Sequence, residues 1–412
     1  MIFYELLVLL GWVLFSPKLL VQKWLFGKSI PTFKDRLGFP LPKKQKRPIF
    51  WIHAVSLGEM KASRPLCKKI KQEHPEAFLF LTTATATGKK EAELIPEADS
   101  VRYLPLDLSW IQKAWMKRLR PKLLLLIEGD VWINQLKAAQ QIGAKTVLVS
   151  GKLSERSHRR YAYFPWIARK LYKHLDLFLV QNAEHATRFI HILQRAPLSI
   201  TGNLKLAQEI TLAPPLAFPT TLPIVALTCT HGPEEEELLP ILLNLPIFLV
   251  IAPRHPERFE KVAQFLTAQN ISFLRDSHAT PSNGEKVFLL DAMGKLPSLY
   301  RVCKVAILGG SFSSQIGGHN PLEPLFQGAP VIFGPFMQLQ QELASLVLQT
   351  GMAKQATTAE LTDAIQFFLT HPPLQASPFL HSMRTQVLEK TWEKIQSLCA
   401  PQVQPQGSSN FD

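Results

Sequence analysis

Glu59 is a side chain that could act as a catalytic base. It follows the apolar run Ile49–Val55 and lies three residues after Ser56. A carboxylate at a strand-to-helix turn can take a proton from a sugar hydroxyl. The same spacing also fits a helix cap, with Ser56 as the N-cap residue and Glu59 as its partner three residues later. The sequence leaves both interpretations of Glu59 open.

Three further charged residues follow apolar runs in the first half of the chain. Glu128 and Asp130 follow Leu123–Ile127. Burial would raise the pKa of Glu128 unless a cation pairs with it, and two carboxylates at this spacing are also compatible with a cation site. Lys205 follows Leu198–Thr201. It either neutralises an acidic substrate or extends its ammonium group into solvent.

The second half contains an arginine and two glycine pairs in equivalent positions. Pro253 and Arg254 follow the run Ile247–Ala252, where an arginine can bind a phosphate through two hydrogen bonds. A glycine-rich stretch, 309–323, contains Gly309-Gly310 and Gly317-Gly318 and enters a predicted helix. Glycines allow the backbone to approach a phosphate closely. The Asn-Pro-Leu-Glu sequence at 320–323 also fits an ordinary cap, with the first helical residue at the proline.

The elements that must position these residues are short apolar runs separated by amphipathic segments. Continuous apolar strands that alternate with helices predict parallel sheets covered on both faces. Thirteen strands are too many for one ordinary domain, so we expect two doubly wound α/β domains with ligands bound in the cleft between them. The predicted strands are Ile49–Val55, Phe78–Thr83, Val101–Leu104, Leu123–Ile127, Thr146–Val149, Leu177–Val180, Leu198–Thr201, Ile224–Leu227, Ile247–Ala252, Ile271–Leu274, Lys286–Leu290, Val305–Leu308 and Pro330–Phe333.

The Pro-rich stretch Ala213–Pro223 divides these strands into two groups and predicts an interdomain linker. The chain of 412 residues has the length of about two domains. The predicted division is a membrane-associated segment at 1–30, a first domain at 31–212, the linker at 213–223, a second domain at 224–378, a C-terminal helix at 379–400 and a flexible tail at 401–412.

The positive charge of the chain is concentrated in its first half. Residues 1–205 carry 34 Lys and Arg against 15 Asp and Glu, whereas residues 206–412 carry 12 against 17. Such a surface attracts phospholipid headgroups, phosphorylated substrates or nucleic acid, or serves only to keep the protein soluble. Charge alone does not choose between these alternatives.

The N-terminal segment favours contact with a membrane. The charge-free stretch Leu6–Pro17 is shorter than the ~20 residues that span a bilayer, and the segment lacks the features of a cleaved signal peptide. Lys18, Lys23 and Lys28 follow it, so we expect the body of the protein on the cytoplasmic side whether the segment spans or lies flat. A buried core helix is the alternative.

Several enzyme classes are disfavoured because their motifs are absent from the sequence. There is no P-loop, no G-x-G-x-x-G after a strand, no G-x-S-x-G and no H-E-x-x-H. The four cysteines are far apart and have no histidine at ligand spacing, so we expect reduced thiols and no structural zinc.

Five sequence blocks together resemble a known family. They occur at 53–59, 202–205, 252–258, 291–294 and 317–323, and they read HAVSLGE, GNLK, APRHPER, DAMG and GGHNPLE. In this order and spacing they resemble the 3-deoxy-D-manno-octulosonic acid (Kdo) transferases of Gram-negative bacteria. The resemblance extends from the N-terminal apolar segment to about residue 355.

This resemblance implies a GT-B glycosyltransferase with two Rossmann-like domains and a direct displacement that inverts the anomeric carbon. Kdo would move from CMP-Kdo to a lipid A precursor, or to Kdo already attached, at the cytoplasmic face of the inner membrane. It implies Glu59 as general base, and Glu128 and Lys205 as the pair that stabilises the transition state. The implied CMP-binding residues are Pro253, Arg254, Met293, Gly294, Lys295, Asn320, Pro321, Leu322 and Glu323. We expect no metal, no cofactor and no nucleic acid partner.

The sequence departs from the family pattern at two places. Lys295 stands where the family usually has Glu, which leaves its donor contact in question beyond the backbone. The family's E-T-E-L-W-P reads EGDVWI at 128–133, so Glu128 is retained while Asp130 is left unassigned. The alternatives are a GT-B enzyme that uses another nucleotide sugar, and a non-enzymatic basic protein that binds membrane or nucleic acid.

Overall fold

The computed structural model describes residues 4–14, 31–194, 196–208, 211–277, 284–371 and 377–399. Most of the predicted membrane-associated segment and the whole tail at 401–412 lie outside these residues. The described residues divide into two compact units, an N-terminal unit within Met1–Gln208 and Met383–Asp412, and a C-terminal unit within Glu209–Ser382.

The N-terminal unit contains a seven-stranded parallel sheet with the strand order β3-β2-β1-β4-β5-β6-β7. Its strands are β1 Ile49–His53, β2 Phe78–Thr83, β3 Ser100–Tyr103, β4 Leu123–Ile127, β5 Lys145–Gly151, β6 Leu177–Val180 and β7 Leu198–Ile200. Its helices are α1 at 4–14, α2 Phe33–Arg36, α3 Leu57–Glu73, α4 Ala86–Glu93, α5 Ser109–Leu119, α6 Ile133–Gln141, α7 Glu155–Tyr163, α8 Pro165–Tyr172, α9 Ala183–Leu193 and the 3₁₀ turn Leu204–Ala207.

The C-terminal unit repeats this plan with the strand order β10-β11-β9-β8-β12-β13-β14, again all parallel. Its strands are β8 Ile224–Thr230, β9 Phe248–Pro253, β10 Phe273–Arg275, β11 Val287–Leu289, β12 Val305–Leu308, β13 Val331–Phe333 and β14 Ala353–Gln355. Its helices are α10 Glu234–Leu242, the 3₁₀ turn Pro256–Arg258, α11 Phe259–Ala268, α12 Leu296–Tyr300, α13 Leu322–Phe326, α14 Gln341–Leu348 and α15 Leu361–Thr370. The final helix, α16, is Ser377–Cys399.

The expectation of two parallel-sheet α/β units is confirmed. All thirteen predicted strands are present, with ends that differ by at most three residues. They form because helices cover both faces of each sheet, so strands such as β4 are buried along their whole length. The structure adds one strand, β14, whose Ala-Lys-Gln sequence carries no apolar run.

An aromatic cluster fills the core on one face of the N-terminal sheet. Trp51 on β1 lies 5.3 Å from Phe80 and 5.9 Å from Trp115, measured between ring centroids. All three side chains are at most 1% exposed. Burial of large aromatic side chains contributes strongly to stability, so this cluster holds β1, β2 and α5 in a fixed arrangement.

The last helix belongs to the N-terminal unit from Met383 onward, whereas the sequence division treated it as separate. Trp392 lies 6.0 Å from His74, measured between ring centroids, and Lys69 pairs with Glu389 at 3.0 Å.

The Pro-rich stretch at 213–223 packs against the C-terminal unit. Leu216, Phe218 and Leu222 pack against its core.

Helix α1 is tied to the N-terminal unit at its polar start. The hydroxyl of Tyr4 donates to Oδ2 of the buried Asp107 at 2.8 Å, and Glu5 accepts from the backbone N–H of Ser109 at 3.3 Å. The large apolar side chains that α1 exposes are Leu6, Leu7, Leu9, Leu10, Val13 and Leu14.

Within the described ranges, every helix falls short of the length or the apolar character that crossing a bilayer requires.

Candidate active site

The strand order of the N-terminal sheet reverses between β1 and β4, which are hydrogen-bonded neighbours. In open parallel sheets, ligands bind at the carboxyl ends of the strands where the order reverses. Glu59 follows β1, and Glu128 follows β4 directly. The two predicted carboxylates therefore lie at the switch point of this sheet.

Glu59 is held by the strand-to-helix turn that begins α3. Ser56 is the N-cap residue, and its hydroxyl accepts from the N–H of Glu59 at 3.4 Å. Oε2 of Glu59 accepts from the N–H of Val55 at 2.7 Å, and the hydroxyl of Ser56 donates to Oε1 at 3.0 Å. Ser56 thus caps α3 as the sequence suggested, but Glu59 accepts from the N–H of Val55 and not from that of Ser56, so the reciprocal bond of a capping box is replaced by one to the preceding residue. The cap does not exclude the catalytic interpretation, because these bonds also fix the carboxylate at the edge of the sheet.

The surroundings of Glu59 raise the pKa of its carboxyl group. Burial is the main cause, and the negative charges of Glu128 and Asp130 add to it, against the opposing hydrogen bonds from Val55 and Ser56. Enzymes use a carboxyl group with a raised pKa to accept a proton near neutral pH. Because the charge of Glu128 contributes to the raised pKa of Glu59, the two carboxyl groups lie within electrostatic reach of each other.

Glu128 is an ionised carboxylate in a nearly dry position. It is 3% exposed, and its backbone adopts the left-handed conformation, with φ of 65°. Nζ of Lys205 lies 2.8 Å from Oε1, and the ammonium group of Lys152 pairs with Oε2. Burial would raise the pKa of Glu128, but these two ammonium groups hold it below its usual range.

Lys205 reaches Glu128 because its loop is fixed by hydrogen bonds. Oδ1 of Asn203 accepts from the N–H of Lys205 at 3.0 Å, and the hydroxyl of Ser150 accepts from the N–H of Leu204 at 3.2 Å. Ser150 adopts φ of 55° at a register shift in β5. Of the two sequence alternatives for Lys205, extension into solvent does not occur, since its side chain is only 19% exposed.

Lys152 is a site residue that the sequence analysis missed. It directly follows β5, and its N–H donates to the carbonyl oxygen of Glu128 at 2.9 Å. A signal was present, because a lysine at the carboxyl end of a predicted strand meets the same criterion as Lys205. The N-terminal site thus consists of Glu59, Glu128, Lys205 and Lys152.

The C-terminal sheet has its own switch point between β8 and β12. Arg254 follows β9, the neighbour of β8, and its guanidinium group is exposed near His319. The backbone N–H of Arg254 donates to the carbonyl oxygen of Thr230 at 3.2 Å, which fixes the start of this loop. Pro253 is the buried last residue of β9. Arg254 is therefore free to bind an anion at this edge.

The glycine pair after β12 serves packing within the protein. A side chain at Gly309 would place its Cβ 2.7 Å from Cα of Thr230, so only glycine lets β12 lie this close to β8. The N–H of Gly310 donates to Oε2 of the buried Glu234 at 2.7 Å, and that of Phe312 to Oε1 at 3.1 Å. These two amides bind a carboxylate of the protein, so they do not form the phosphate cradle that the sequence suggested.

Two histidines lie beside Arg254. Nε2 of His231 is 2.9 Å from Nε2 of His319, and the rings stack with their centroids 5.1 Å apart. Burial, followed by the charge of Arg254, lowers the pKa of His319 to about 4. Burial and His255 likewise lower the pKa of His231. The pair is therefore neutral at pH 7, and Arg254 carries the positive charge at this edge.

The remaining predicted donor-site residues lie at the ends of neighbouring strands. Met293 is 61% exposed, and Gly294 has φ of 83°. Lys295 pairs with Asp276 at 2.8 Å, so its ammonium group already has a partner within the unit. This pairing leaves the backbone of 293–295 as the part available for a ligand.

The Asn-Pro-Leu-Glu segment begins a short helix one residue later than predicted. Helix α13 begins at Leu322 with Pro321 as its N-cap residue, and Oδ1 of Asn320 accepts from the N–H of Leu322 at 3.1 Å. Glu323 is exposed and lies within electrostatic reach of the buried Cys229 on β8. It therefore belongs to the same edge as Arg254, which also interacts with Cys229.

Metal binding finds no support in the part of the chain that the structure describes. Those residues contain no cluster of three or more His, Cys, Asp or Glu side chains able to hold a metal ion. The alternative of a cation at Glu128 and Asp130 is weakened further, because two lysines already neutralise Glu128.

Comparison with known proteins identifies the family. The family model for 3-deoxy-D-manno-octulosonic-acid transferase (kdotransferase) matches residues 31–208. A 3-deoxy-D-manno-octulosonic acid transferase of Chlamydophila psittaci is 31% identical over 414 residues, which cover 95% of each chain. Another from Haemophilus influenzae is 33% identical over 300 residues, which cover 69% of this chain and 70% of that one.

A solved structure supports the fold. A glycosyltransferase from Rickettsia africae superposes with a TM-score of 0.57 at 11% identity, and the match covers 86% of this chain and 98% of that one. At this identity the likeness shows the fold alone, and two parallel-sheet α/β units fit the expected GT-B type.

Membership of an enzyme family removes the alternative of a non-enzymatic basic protein. The chain belongs to the 3-deoxy-D-manno-octulosonic acid transferase family and is a glycosyltransferase.

Proposed function

We propose that this enzyme transfers Kdo from CMP-Kdo to a lipid A precursor, with Glu59 as the general base. The relatives at 30% identity and above carry the name of Kdo transferase. The observation that carries the proposal is the position of Glu59 at the switch point, where burial and Glu128 raise its pKa. Kdo is a carboxylate and the lipid A precursor carries phosphates, so the excess of basic residues in the first half suits both.

The proposed reaction is a direct displacement at the anomeric carbon of Kdo. The acceptor hydroxyl attacks this carbon while its proton passes to the Glu59 carboxylate. The bond from the anomeric carbon to the phosphate oxygen breaks, and CMP leaves with the electron pair. Attack opposite to the leaving group inverts the configuration. General base catalysis of this kind contributes roughly 10²–10⁴-fold to rate.

The C-terminal unit would hold the CMP part of the donor. Arg254 is exposed at the carboxyl end of β9, one strand from the switch point, and a guanidinium group can bind a phosphate through two parallel hydrogen bonds. Phosphate bound by a cation is already a good leaving group, so this step needs no metal. The segments at 293–295 and 320–323, of which Met293, Gly294 and Glu323 are exposed, are the proposed contacts to the rest of the nucleotide.

Glu128 and Lys205 would stabilise charge as the transition state forms. Their ion pair is held in place by the loop at 203–205 and by Ser150, so it needs no rearrangement during the reaction. Fixed charges in a site with little water act more strongly than the same charges in solvent. The pair therefore provides a preorganised field beside the proposed base.

The N-terminal unit would bind the anionic cytoplasmic surface of the inner membrane, where a lipid acceptor lies. Between α7 and α8 four large side chains are exposed, Tyr163, Phe164, Trp166 and Ile167, with Tyr163 at 82%. We name these four residues the aromatic corner. Residues 155–173 also carry six exposed cations, Arg156, Arg159, Arg160, Arg169, Lys170 and Lys173. Exposed aromatic rings surrounded by basic residues are typical of surfaces that bind anionic lipid.

Mass spectrometry of the acceptor tests this proposal. A lipid A precursor is incubated with the purified protein and CMP-Kdo, and we expect a mass increase of one or more Kdo units. Parallel incubations with UDP-sugars serve as the donor control. Turnover with a UDP-sugar and none with CMP-Kdo would replace this proposal with a different nucleotide-sugar transferase. The number of added units gives the Kdo stoichiometry directly.

A further inference from the structure

Glu128 is paired with two lysines that differ sharply in their freedom. Lys205 is 19% exposed and lies on a loop fixed by Asn203 and Ser150. The side chain of Lys152 is 46% exposed, and it pairs with the other carboxylate oxygen of Glu128. One cation is therefore locked in place, while the other lies at the solvent side of the same carboxylate.

Glu128 retains one cation, Lys205, when Lys152 leaves it. A buried carboxylate is costly without a partner, and Lys205 supplies that partner at 2.8 Å. The pair with Lys152 is open to solvent at its lysine end, where the side chain is 46% exposed, so water screens it more than a fully buried pair. The ammonium group of Lys152 can therefore exchange the Glu128 carboxylate for another oxyanion with little loss of interaction energy.

The position of Lys152 brings its ammonium group to the substrate edge of the sheet. It follows β5, the neighbour of β4, and its N–H donates to the carbonyl oxygen of Glu128. It is also close enough to Asp130 to act on that carboxyl group electrostatically. Three residues farther along, at Glu155, α7 begins and leads to the aromatic corner. In the chain, Lys152 thus lies between β5 and the helix that leads to the basic surface.

We propose that Lys152 is a substrate-binding residue whose ammonium group moves from Glu128 to an oxyanion of the substrate. This inference rests on the proposed function, because it names a contact within the same site. The oxyanion is either a phosphate of the acceptor or the carboxylate of the Kdo donor, and both have the same chemistry toward a lysine. Lys205 keeps Glu128 ionised while Lys152 is engaged.

The variant Lys152→Met removes the charge and retains most of the side-chain length. We expect the KM for one substrate to rise roughly 10–100-fold, the effect of losing one charge-assisted hydrogen bond, while kcat changes less than threefold. Lys152→Arg should restore KM to within about threefold of wild type. Lys145→Met is the matched control, since Lys145 is exposed at the opposite end of the same strand and should leave both KM values unchanged.

Two arms identify the oxyanion. If Lys152→Met has a higher KM than wild type for the phosphorylated acceptor, but the same KM as wild type for a dephosphorylated acceptor, Lys152 binds an acceptor phosphate. A higher KM for CMP-Kdo with an unchanged acceptor KM assigns it to the donor carboxylate. Equilibrium binding of the phosphorylated acceptor and of CMP-Kdo to wild type and to Lys152→Met repeats both arms without turnover. If Lys152→Met is poorly folded, Lys152→Gln takes its place.

The inference is overturned if both KM values and both binding constants stay within threefold of wild type. It is equally overturned if kcat alone falls, because that result assigns Lys152 to the support of Glu128. Turnover by the wild-type enzyme is scored separately in the same assay. Its absence would refute the proposed function, whereas the binding measurements would still decide whether Lys152 contacts an oxyanion.

Discussion

Nζ of Lys205 lies 2.8 Å from Oε1 of Glu128, a carboxylate that is only 3% exposed at the end of β4. The residues are 77 positions apart in the chain, yet the parallel sheet brings both to the same edge. Fixed on one side by Lys205, Glu128 in turn raises the pKa of Glu59. The ion pair is thus the link between the stability of the unit and the proposed chemistry.

Removing the charge of Glu128 should destabilise the protein in a pH-dependent way. We expect Glu128→Gln to lower the free energy of unfolding by about 3–5 kcal/mol at pH 7, because it removes the buried carboxylate that pairs with the half-buried Lys205. The pKa of Glu128 is lowered in the folded state, so the pair contributes stability above the ordinary carboxyl pKa and loses it as pH falls. Denaturant unfolding at pH 7 and at pH 3 measures the difference.

The loss should therefore be large at pH 7 and smaller at pH 3, because below the ordinary carboxyl pKa the unfolded chain takes up a proton at Glu128 that the folded state resists. Glu93→Gln is the matched control, since Glu93 forms only an exposed pair with Lys89 at 3.5 Å. It should change stability by no more than about 0.5 kcal/mol. Equal losses for Glu128→Gln at both pH values would contradict the assignment of an ionised, paired Glu128.

The pH profile of the reaction should report the environment of Glu59. A base must be ionised, so activity should rise with pH through the raised pKa of Glu59, and the acidic limb should lie above the ordinary glutamate range. Glu128→Gln removes a negative neighbour and should move this limb to lower pH while kcat falls. Measurement of kcat/KM from pH 4 to pH 9 for both proteins tests the coupling, and a limb that stays in place would refute it.

The glycine after β12 gives a steric prediction. Gly309→Ala places a Cβ 2.7 Å from Cα of Thr230 and 2.8 Å from the carbonyl oxygen of Cys229, so β12 must move away from β8. We expect a loss of several kcal/mol in stability, because backbone atoms cannot rotate aside. Gly58→Ala is the control, since no atom lies within 4 Å of its Cβ position. Thermal unfolding of the two variants should differ clearly, and equal midpoints would contradict the packing.

The aromatic corner predicts binding to anionic lipid. We expect the double variant Tyr163→Ser/Trp166→Ser to reduce partition onto vesicles containing anionic phospholipid by roughly tenfold or more, since two large apolar surfaces are lost. Leu94→Ser is the control, because Leu94 is 67% exposed in an acidic part of the same unit. A sedimentation assay at low and high salt measures the effect. If the double variant binds the vesicles as strongly as wild type, the aromatic corner is not the lipid contact.

The architecture was predictable because continuous apolar runs mark strands that are buried on both faces. Strands such as β2, β4 and β6 match the sequence prediction residue for residue. Strand β14 was missed because Ala-Lys-Gln at the edge of a sheet has no such run. The sequence likewise could not show that Gly309 serves close strand packing, since that reason lies in Cys229 and Thr230, about 80 residues away.

The site was predictable only in part. Glu59, Glu128 and Lys205 are distant in sequence, and their placement at the ends of strands in one sheet was the available signal. Lys152 carried the same signal as Lys205, a lysine just after a predicted strand, but its spacing did not show that β5 lies beside β4 and brings it to Glu128. The pairing of Lys295 with Asp276 similarly depends on the fold, since these residues lie 19 positions apart on separate loops.

The most direct test of the account is the turnover of Glu59→Gln. The amide retains an oxygen that can accept from Val55 and keep the cap of α3, but it cannot take up a proton. We expect kcat for Kdo transfer from CMP-Kdo to fall by roughly 10²–10⁴-fold, while CMP binding and thermal stability remain near wild type. Glu73→Gln, at the other end of α3, should retain full activity. Transfer by Glu59→Gln at a rate close to that of the wild-type enzyme would contradict the role of Glu59 as the base.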